Sequence, residues 1–298
     1  MANKDSTLRT FTVIGLLCFV CSILVCGTVV VLKPLQEKEM NSDREKSVLE
    51  AAGIDYSGSN VSEVFAQKIE AKLLDLKTSA YVDSKTMREI VQCDEKKSDS
   101  DCAGSYNFVS ESKLPEKNVV IPKKASASKD ENLKSGEEDS ADKVRASKDE
   151  NLKPGEEDIA DIKVRARYMP VYLVKDNGQV SEVVLPFYGQ GLWSTMYGYL
   201  AVDADGSTIK GVKYYSQGET AGLGAEVTNP AYTGKWIAKK LYENGEYKFK
   251  VTKGADKTSP YQVDAISGAT LTSDGVNNSV KYWFEKVYAD YLRGLNHK

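Results

Sequence analysis

The chain has 298 residues, a net charge of −3 and an isoelectric point of about 5.5. This charge gives no electrostatic reason to expect nucleic-acid binding. The one histidine, His297, lies beside the C-terminus, which makes Ser–His, Cys–His and histidine-ligated metal chemistry poor candidates. Gly234 and Lys235 lack the upstream glycine of a P-loop. Any redox or transfer chemistry is therefore expected to depend on a bound cofactor.

The N-terminal part of the chain carries a membrane-spanning pattern. After a tail at residues 1–9, residues 10–32 contain no charged side chain, and a bilayer needs about 20 such residues. A cleaved signal peptide would have an apolar core of about 7–15 residues and end at a small-residue site. This run ends instead in Leu32, Lys33 and Pro34. We therefore predict one uncleaved transmembrane helix, whose orientation is left open by basic residues on both sides.

The next segment, residues 33–104, is predicted to be helical and membrane-proximal. Leu35–Ala52 is polar and suits a helix that continues the anchor and closes at Gly53. Val64–Leu76 carries apolar residues at helical spacing. We therefore expect two helices before the polar region begins.

The five cysteines fall into two groups. Cys18, Cys21 and Cys26 lie within the apolar run, where a buried thiol behaves as a small hydrophobe. Cys93 and Cys102 are the only two beyond it. So close a pair suits a disulfide in an oxidising compartment. Two unpaired surface thiols are the alternative.

Residues 105–165 form a polar region that contains an internal duplication. Ala127–Arg145 recurs almost unchanged at Ala146–Arg165. Two copies with few apolar side chains are not enough to build a solenoid core. Because the copies are rich in charge of both signs, we predict a solvated linker or loop insertion.

Residues 166–298 are predicted to form a compact α+β domain with a largely antiparallel sheet and flanking helices. Turn signals at Asp176–Gly178 and at Asp203–Gly206 predict two successive β-hairpins, and adjacent hairpins with few crossover helices favour this fold class. The predicted elements are strands at 171–174, 180–185, 197–202, 209–215, 247–252 and 261–266, and a helix at 233–242.

The last strand leads through a tight turn into the final helix. Gly268 can take a positive φ and Ala269 has little bulk, so the backbone can approach a ligand closely. Hydroxyl side chains cluster there at Ser267, Thr270 and Thr272, and a helix N-terminus favours an anion. By itself this pattern also fits a simple hydroxyl-rich cap. The apolar face of the helix is predicted at Val276, Val280, Phe284, Val287 and Tyr291.

The turn resembles a known family motif. Ser267–Thr270, with Asp264 before it, is similar to the flavinylation motif of FMN-binding domains, and the longer run Val263–Ser273 resembles the C subunit of the Na+-translocating NADH–quinone reductase. Two glycine-rich segments, residues 189–193 and 218–224, resemble the same family. Ala221 stands where that family usually has proline, which suggests a less rigid loop.

The resemblance implies FMN bound covalently, through its phosphate, to the hydroxyl of Thr270 by a flavin transferase. It implies that Ser267, Gly268 and Ala269 shape the turn and that amides near Thr272 hold the phosphate. The flavin would then be met by Glu219, Thr220 and Leu223, with Trp193 nearby.

The same resemblance implies an electron-relay subunit of a membrane complex that passes electrons from NADH to ubiquinone and moves Na+. Partner subunits would bind NADH and form the ion path, and the soluble part would lie in the periplasm, outside the inner membrane. Two alternatives remain open at this point. One is the G subunit of the homologous RNF electron-transport complex; the other is a membrane-anchored binding module without redox activity.

Overall fold

The computed structural model describes residues 6–113, 118–123 and 151–295, in two compact units that divide between Glu45 and Lys46. The helices are α1 (Ser6–Ala51), α2 (Val61–Lys68), α3 (Ser84–Val91), α4 (Asp99–Ser105), α5 (Phe108–Glu111), α6 (Pro230–Thr233), α7 (Thr270–Lys281) and α8 (Ala289–Leu295). The strands are β1 (Ile69–Asp75), β2 (Ala80–Tyr81), β3 (Asn118–Val120), β4 (Val164–Ala166), β5 (Tyr168–Asp176), β6 (Gln179–Gln190), β7 (Thr195–Asp203), β8 (Ile209–Ser216), β9 (Tyr242–Glu243), β10 (Glu246–Tyr247), β11 (Lys250–Thr252) and β12 (Gln262–Asp264).

The first helix contains the predicted anchor. Thr10–Val30 has a mean hydropathy of 2.7 and none of it is buried within the structure, so it is long and apolar enough to cross a membrane. The helix continues through the expected polar stalk and ends before Gly53, whose φ is +65°. The N–H of Ile54 donates to the carbonyl of Leu49 at 2.9 Å, closing the helix as glycine C-caps do.

The main sheet has six strands in the order β2-β1-β5-β6-β7-β8, and every neighbouring pair is antiparallel. Both predicted hairpins are confirmed. Asn177 and Gly178 take φ values of +51° and +83°, as the two central residues of a type I′ turn do. In the second hairpin, the Asp205 carboxylate accepts hydrogen bonds from the N–H groups of Ser207 and Thr208 at 2.7 Å. The predicted α+β class with a largely antiparallel sheet is confirmed.

Two predicted helices are wrong. The first, Val64–Leu76, stops at Lys68, and its second half is strand β1, which pairs with β5 from Ile69 to Asp75. Its apolar residues fit the helical period, but a neighbouring strand decides the conformation because strand preference depends on packing partners. The second, Thr233–Tyr242, is replaced after α6 by a short 3₁₀ turn, Gly234–Trp236.

The backbone beyond that 3₁₀ turn is engaged elsewhere. The Ile209 N–H of β8 donates to the Lys239 carbonyl, and the Lys240 N–H donates to the Pro260 carbonyl. Ala238 has a φ of +65°, a left-handed conformation that a continuing helix excludes. These tertiary hydrogen bonds outweigh the local preference for helix.

Part of the second repeat copy differs from the expected solvated linker, because some of its charged side chains are buried. Arg165 is fully buried and its guanidinium holds the Glu156 carboxylate at 2.6 and 2.8 Å. The Tyr282 hydroxyl donates to the same carboxylate at 2.6 Å, and the Lys153 ammonium contacts Asp290 at 3.1 Å. These charges can be buried because each has a partner. The first copy, Ala127–Arg145, lies outside the described residues.

The final helix packs against β6. Its predicted apolar face is confirmed, since all five side chains are buried: Val276, Val280, Phe284, Val287 and Tyr291. After α7, a π-helical turn at Tyr282–Val287 leads into α8. The Trp283 indole N–H donates to the Tyr188 carbonyl at 2.7 Å. A Cβ at Gly275 would lie 2.3 Å from the Gln190 carbonyl oxygen, so only glycine permits this approach of helix to strand.

Cys93 and Cys102 form a disulfide with a Cα–Cα distance of 5.7 Å, which confirms the predicted pair. The bond joins the residues just after α3 to helix α4, and Cys102 is fully buried. Helix α4 packs on β1, so the crosslink lies beside the main sheet.

Candidate functional site

The turn between β12 and α7 has a fixed backbone. Gly268 has a φ of +76°, which explains the glycine. The Ser273 hydroxyl accepts from the Ile266 N–H and donates to the Ala269 carbonyl, both at 2.9 Å. A single buried serine therefore braces both ends of the turn. Asp264, the acidic residue of the motif, accepts a hydrogen bond from the N–H of Ala255 at 2.9 Å and so holds the preceding loop.

The start of α7 has the features of an anion site. Thr270 is its first residue and is exposed, as is Ser267. The N-cap Ala269 provides no side-chain hydrogen bond, and the first N–H groups of a helix have no intrahelical acceptor. A phosphate on Thr270 would meet those N–H groups and the positive end of the helix dipole.

Glu219 connects this helix to the two glycine-rich segments. Its carboxylate accepts hydrogen bonds from the Thr272 hydroxyl at 2.7 Å and from the N–H groups of Leu192, Trp193 and Ser194 at 3.2, 2.9 and 3.1 Å. Burial raises the pKa of this carboxyl, but the hydrogen bonds from Thr272 and the backbone outweigh it, so the pKa lies below its ordinary value. Glu219 is therefore ionised near neutral pH.

Exposed apolar side chains border the turn. A Cβ at Gly268 would lie 3.2 Å from Cδ2 of Leu223, so the second glycine-rich segment touches the turn directly. Leu223 is 43% exposed, Leu271 is 61% exposed and Trp193 is 67% exposed. Large apolar side chains that face solvent are candidates for contact with a ligand.

The structure thus brings together the predicted turn, Trp193 and Leu223. Glu219 was expected to meet the flavin; it is 8% exposed, and its carboxylate accepts hydrogen bonds from the loop amides and from the Thr272 hydroxyl. The expected phosphate contact involves the amides near Thr272 and stays a prediction. Thr220 is exposed, and its carbonyl accepts from the N–H groups of Leu223 and Ala225 at 3.1 Å.

Sequence reasoning missed two supporting serines. Ser273 braces the turn, and the Ser194 hydroxyl accepts from the Gly218 N–H at 2.6 Å. Ser273 ends the longer motif run and Ser194 follows Trp193, but neither was assigned a role. Each acts through a backbone hydrogen bond that residue type alone does not reveal.

A fold and site of this kind define a flavoprotein domain, and residues 191–285 match the family model described as an FMN-binding domain. The chain is 40% identical to the C subunit of the Na(+)-translocating NADH-quinone reductase of Haemophilus ducreyi, over 95% of this chain and 91% of that one. It is 37% identical to the C subunit of the Pasteurella multocida reductase, over 98% and 96%. The chain belongs to the family of Na(+)-translocating NADH-quinone reductase C subunits.

The solved structures agree. The crystal structure of NqrC from Shewanella oneidensis superposes with a TM-score of 0.67 at 28% identity, covering 88% of this chain and 100% of that one. The C subunit of the Parabacteroides distasonis reductase has the same fold, with a TM-score of 0.57 at 22% identity, over 90% of this chain and 98% of that one. The cofactor of the family's domain is FMN.

Proposed function

We propose that this chain is an electron-relay subunit that carries FMN covalently on Thr270. The observation that supports this most directly is the exposed Thr270 hydroxyl at a helix start without a side-chain cap. The attachment transfers FMN from FAD, supplied by a flavin transferase. The threonine oxygen bonds to the FMN phosphorus, the bond to the AMP half breaks, and AMP leaves with the proton.

The residues of the site fit such a group. The N–H groups at the start of α7 hold the phosphate, whose charge the helix dipole favours. The Thr272 hydroxyl is not available for this task, since it donates to Glu219. Trp193, Leu223 and Leu271 offer the flat, apolar contacts that a flavin ring requires.

When bound, FMN supplies one- and two-electron redox chemistry. Attachment through the phosphate leaves the ring atoms that carry electrons unmodified. The apolar side chains would exclude water on their side of the ring, and the turn would set the position of the attachment oxygen.

The family relationship supports other subunits of a membrane-bound NADH–quinone reductase as partners, together with a flavin transferase during maturation. The one candidate span within the described part of the chain, Thr10–Val30, supports a single-pass protein of the bacterial inner membrane. The Cys93–Cys102 disulfide supports a soluble part in the periplasm, because such bonds persist in oxidising compartments.

The first prediction concerns Thr270. Co-expressed with a flavin transferase supplied with FAD and Mg2+, the Thr270→Ala variant should carry no covalent flavin, because the ester requires a hydroxyl. Thr270→Ser should retain some flavin, and Ser267→Ala should be milder than Thr270→Ala. In-gel fluorescence of the denatured protein measures the bound flavin, and peptide mass spectrometry locates it as FMN minus one water.

The wild-type protein expressed without the transferase is the control and should show no adduct. Covalent FMN on the Thr270→Ala variant, or an adduct that maps to Thr272 or Ser273, would refute the assignment.

A further inference from the structure

The Glu219 carboxylate has an unusual environment for a buried charge. Three consecutive N–H groups, of Leu192, Trp193 and Ser194, and the hydroxyl of Thr272 all point at its two oxygens. Among the described residues, no lysine or arginine forms an ion pair with it. Aligned dipoles alone satisfy this charge, and hydrogen bonds to an ionised acceptor are the stronger kind. We call Glu219, Thr272 and the N–H groups of residues 192–194 the carboxylate latch.

The space around the latch leaves no room for side chains. A Cβ at Gly191 would lie 2.6 Å from the Glu219 Oε1, and a Cβ at Gly224 would lie 2.6 Å from the Thr272 Oγ1. These two glycines belong to the two glycine-rich segments, and neither has a positive φ. Their lack of a side chain therefore serves close packing around the latch and not backbone freedom.

The latch joins the three segments that carry the proposed flavin contacts. Its amides belong to the loop that bears the exposed Trp193, and Glu219 precedes Leu223 in the second loop. Thr272 lies two residues after Thr270, in the first turn of α7. One hydrogen bond, from Thr272 to Glu219, therefore links the attachment helix to both apolar loops.

We propose that Glu219 is a positioning residue. Its hydrogen bonds to the loop amides and to Thr272 hold Trp193 and Leu223 in place against the flavin, while the attachment chemistry stays with Thr270. This inference rests on the proposed function. In this role the carboxylate latch determines how far water reaches the flavin ring and whether the ring contacts the Trp193 indole. An indole that stacks on a flavin quenches the flavin's fluorescence, which gives the role a direct readout.

The test compares fluorescence per covalently bound FMN in the full-length protein, matured with the transferase. Thr272→Val removes the hydroxyl while keeping the shape of the side chain, and Thr272→Ser keeps the hydroxyl as the matched control. Thr272→Val should raise the fluorescence several-fold, toward the value of Trp193→Ala, while Thr272→Ser stays at the wild-type value. Adding Thr272→Val to Trp193→Ala should give no further rise, because both changes act on the same contact.

Glu219→Gln provides a second route to the same result. Its amide group cannot accept as many hydrogen bonds as the carboxylate, so part of the loop loses its acceptor and fluorescence per flavin should rise as well. Wild-type fluorescence per flavin in both Thr272→Val and Glu219→Gln would overturn the proposal. Failure of both variants to fold would also overturn it, because the latch would then be needed for folding. Loss of covalent flavin in both variants at wild-type thermal stability would overturn it as well. An absence of covalent flavin in the wild-type protein would instead refute the proposed function.

Discussion

At the scale of single residues, the most unexpected feature is the buried ion pair of the second repeat copy. Both side chains of the Arg165–Glu156 pair are 0% exposed. Burial raises the pKa of the Glu156 carboxyl, but the hydrogen bonds and charge of Arg165 more than offset this and lower it. Removing one member of such a pair leaves the other charge buried without a partner, which is far more costly than losing a surface pair.

We therefore predict that Arg165→Met lowers the free energy of unfolding by about 3–5 kcal/mol. The repeat supplies its own control, because Arg145 is the equivalent residue of the first copy. Because the sequence predicts a solvated first copy, Arg145→Met should change stability by less than about 0.5 kcal/mol. Denaturant unfolding of the detergent-solubilised protein, followed by tryptophan fluorescence, measures both. Equal effects of the two substitutions would contradict this distinction between the copies.

The site was also only partly predictable at this scale. The motif singled out Thr270, Ser267 and the flanking loops, because residue types at a fixed spacing identify a family, and their roles toward FMN stay a prediction. It did not reveal that the Glu219 carboxylate is buried against loop amides. The sequence does not show where a carboxylate side chain points. Here the three N–H groups that donate to it lie 25 or more positions earlier in the chain.

At the scale of elements, the sequence predicted the helices and strands whose conformation is determined by residues close together in the chain. The two hairpins have turn residues with positive φ, and the final helix has a complete apolar face. The segment 69–75 is not determined locally. Its strand forms because β5 offers seven paired positions, and no window around residue 69 contains that information.

The approach of α7 to β6 gives the next prediction. Gly275→Ala should lower the free energy of unfolding by about 1–3 kcal/mol, because the new Cβ would lie 2.3 Å from the Gln190 carbonyl oxygen. Gly294→Ala on α8 is the matched control, with no atom within 4 Å of the new Cβ. It should be neutral or stabilising by up to about 1 kcal/mol through helix propensity. Chemical denaturation compares them, and equal stability of the two variants would rule out the close approach.

The disulfide gives a prediction for helices α3 and α4. The two cysteines are nine positions apart, so replacing both with serine should cost only about 2–3 kcal/mol by chain-entropy reasoning. Covalent flavin should remain, because the bond lies outside the site. In cells, alkylation before reduction should label neither Cys93 nor Cys102. Complete labelling of both would contradict the bond and weaken the argument for the periplasm.

At the scale of the whole molecule, the N-terminal helix gives a prediction about where the protein is found. Thr10–Val30 is long and apolar enough to cross a membrane. Because the sequence predicts that this span is not cleaved, the mature protein should retain Met1 and stay in the membrane pellet after carbonate extraction. Intact-mass measurement and immunoblotting of the two fractions test this. A variant with Arg in place of Leu17 and Val20 is the control and should shift to the soluble fraction, since each central charge costs about 2.5–3.5 kcal/mol. A shortened soluble form of the wild-type protein would refute the anchor.

The position of β1 in the sheet has a consequence for how the chain is made. Leu74 pairs with Met169, so β1 emerges from the ribosome roughly a hundred residues before its neighbour. At a synthesis rate of roughly 5–20 residues per second, β1 stays unpaired for on the order of ten seconds, attached to the N-terminal helix. During that interval the unpaired strand can join another nascent chain. Folding of this protein is therefore most vulnerable early in its synthesis, before any part of the flavin site exists.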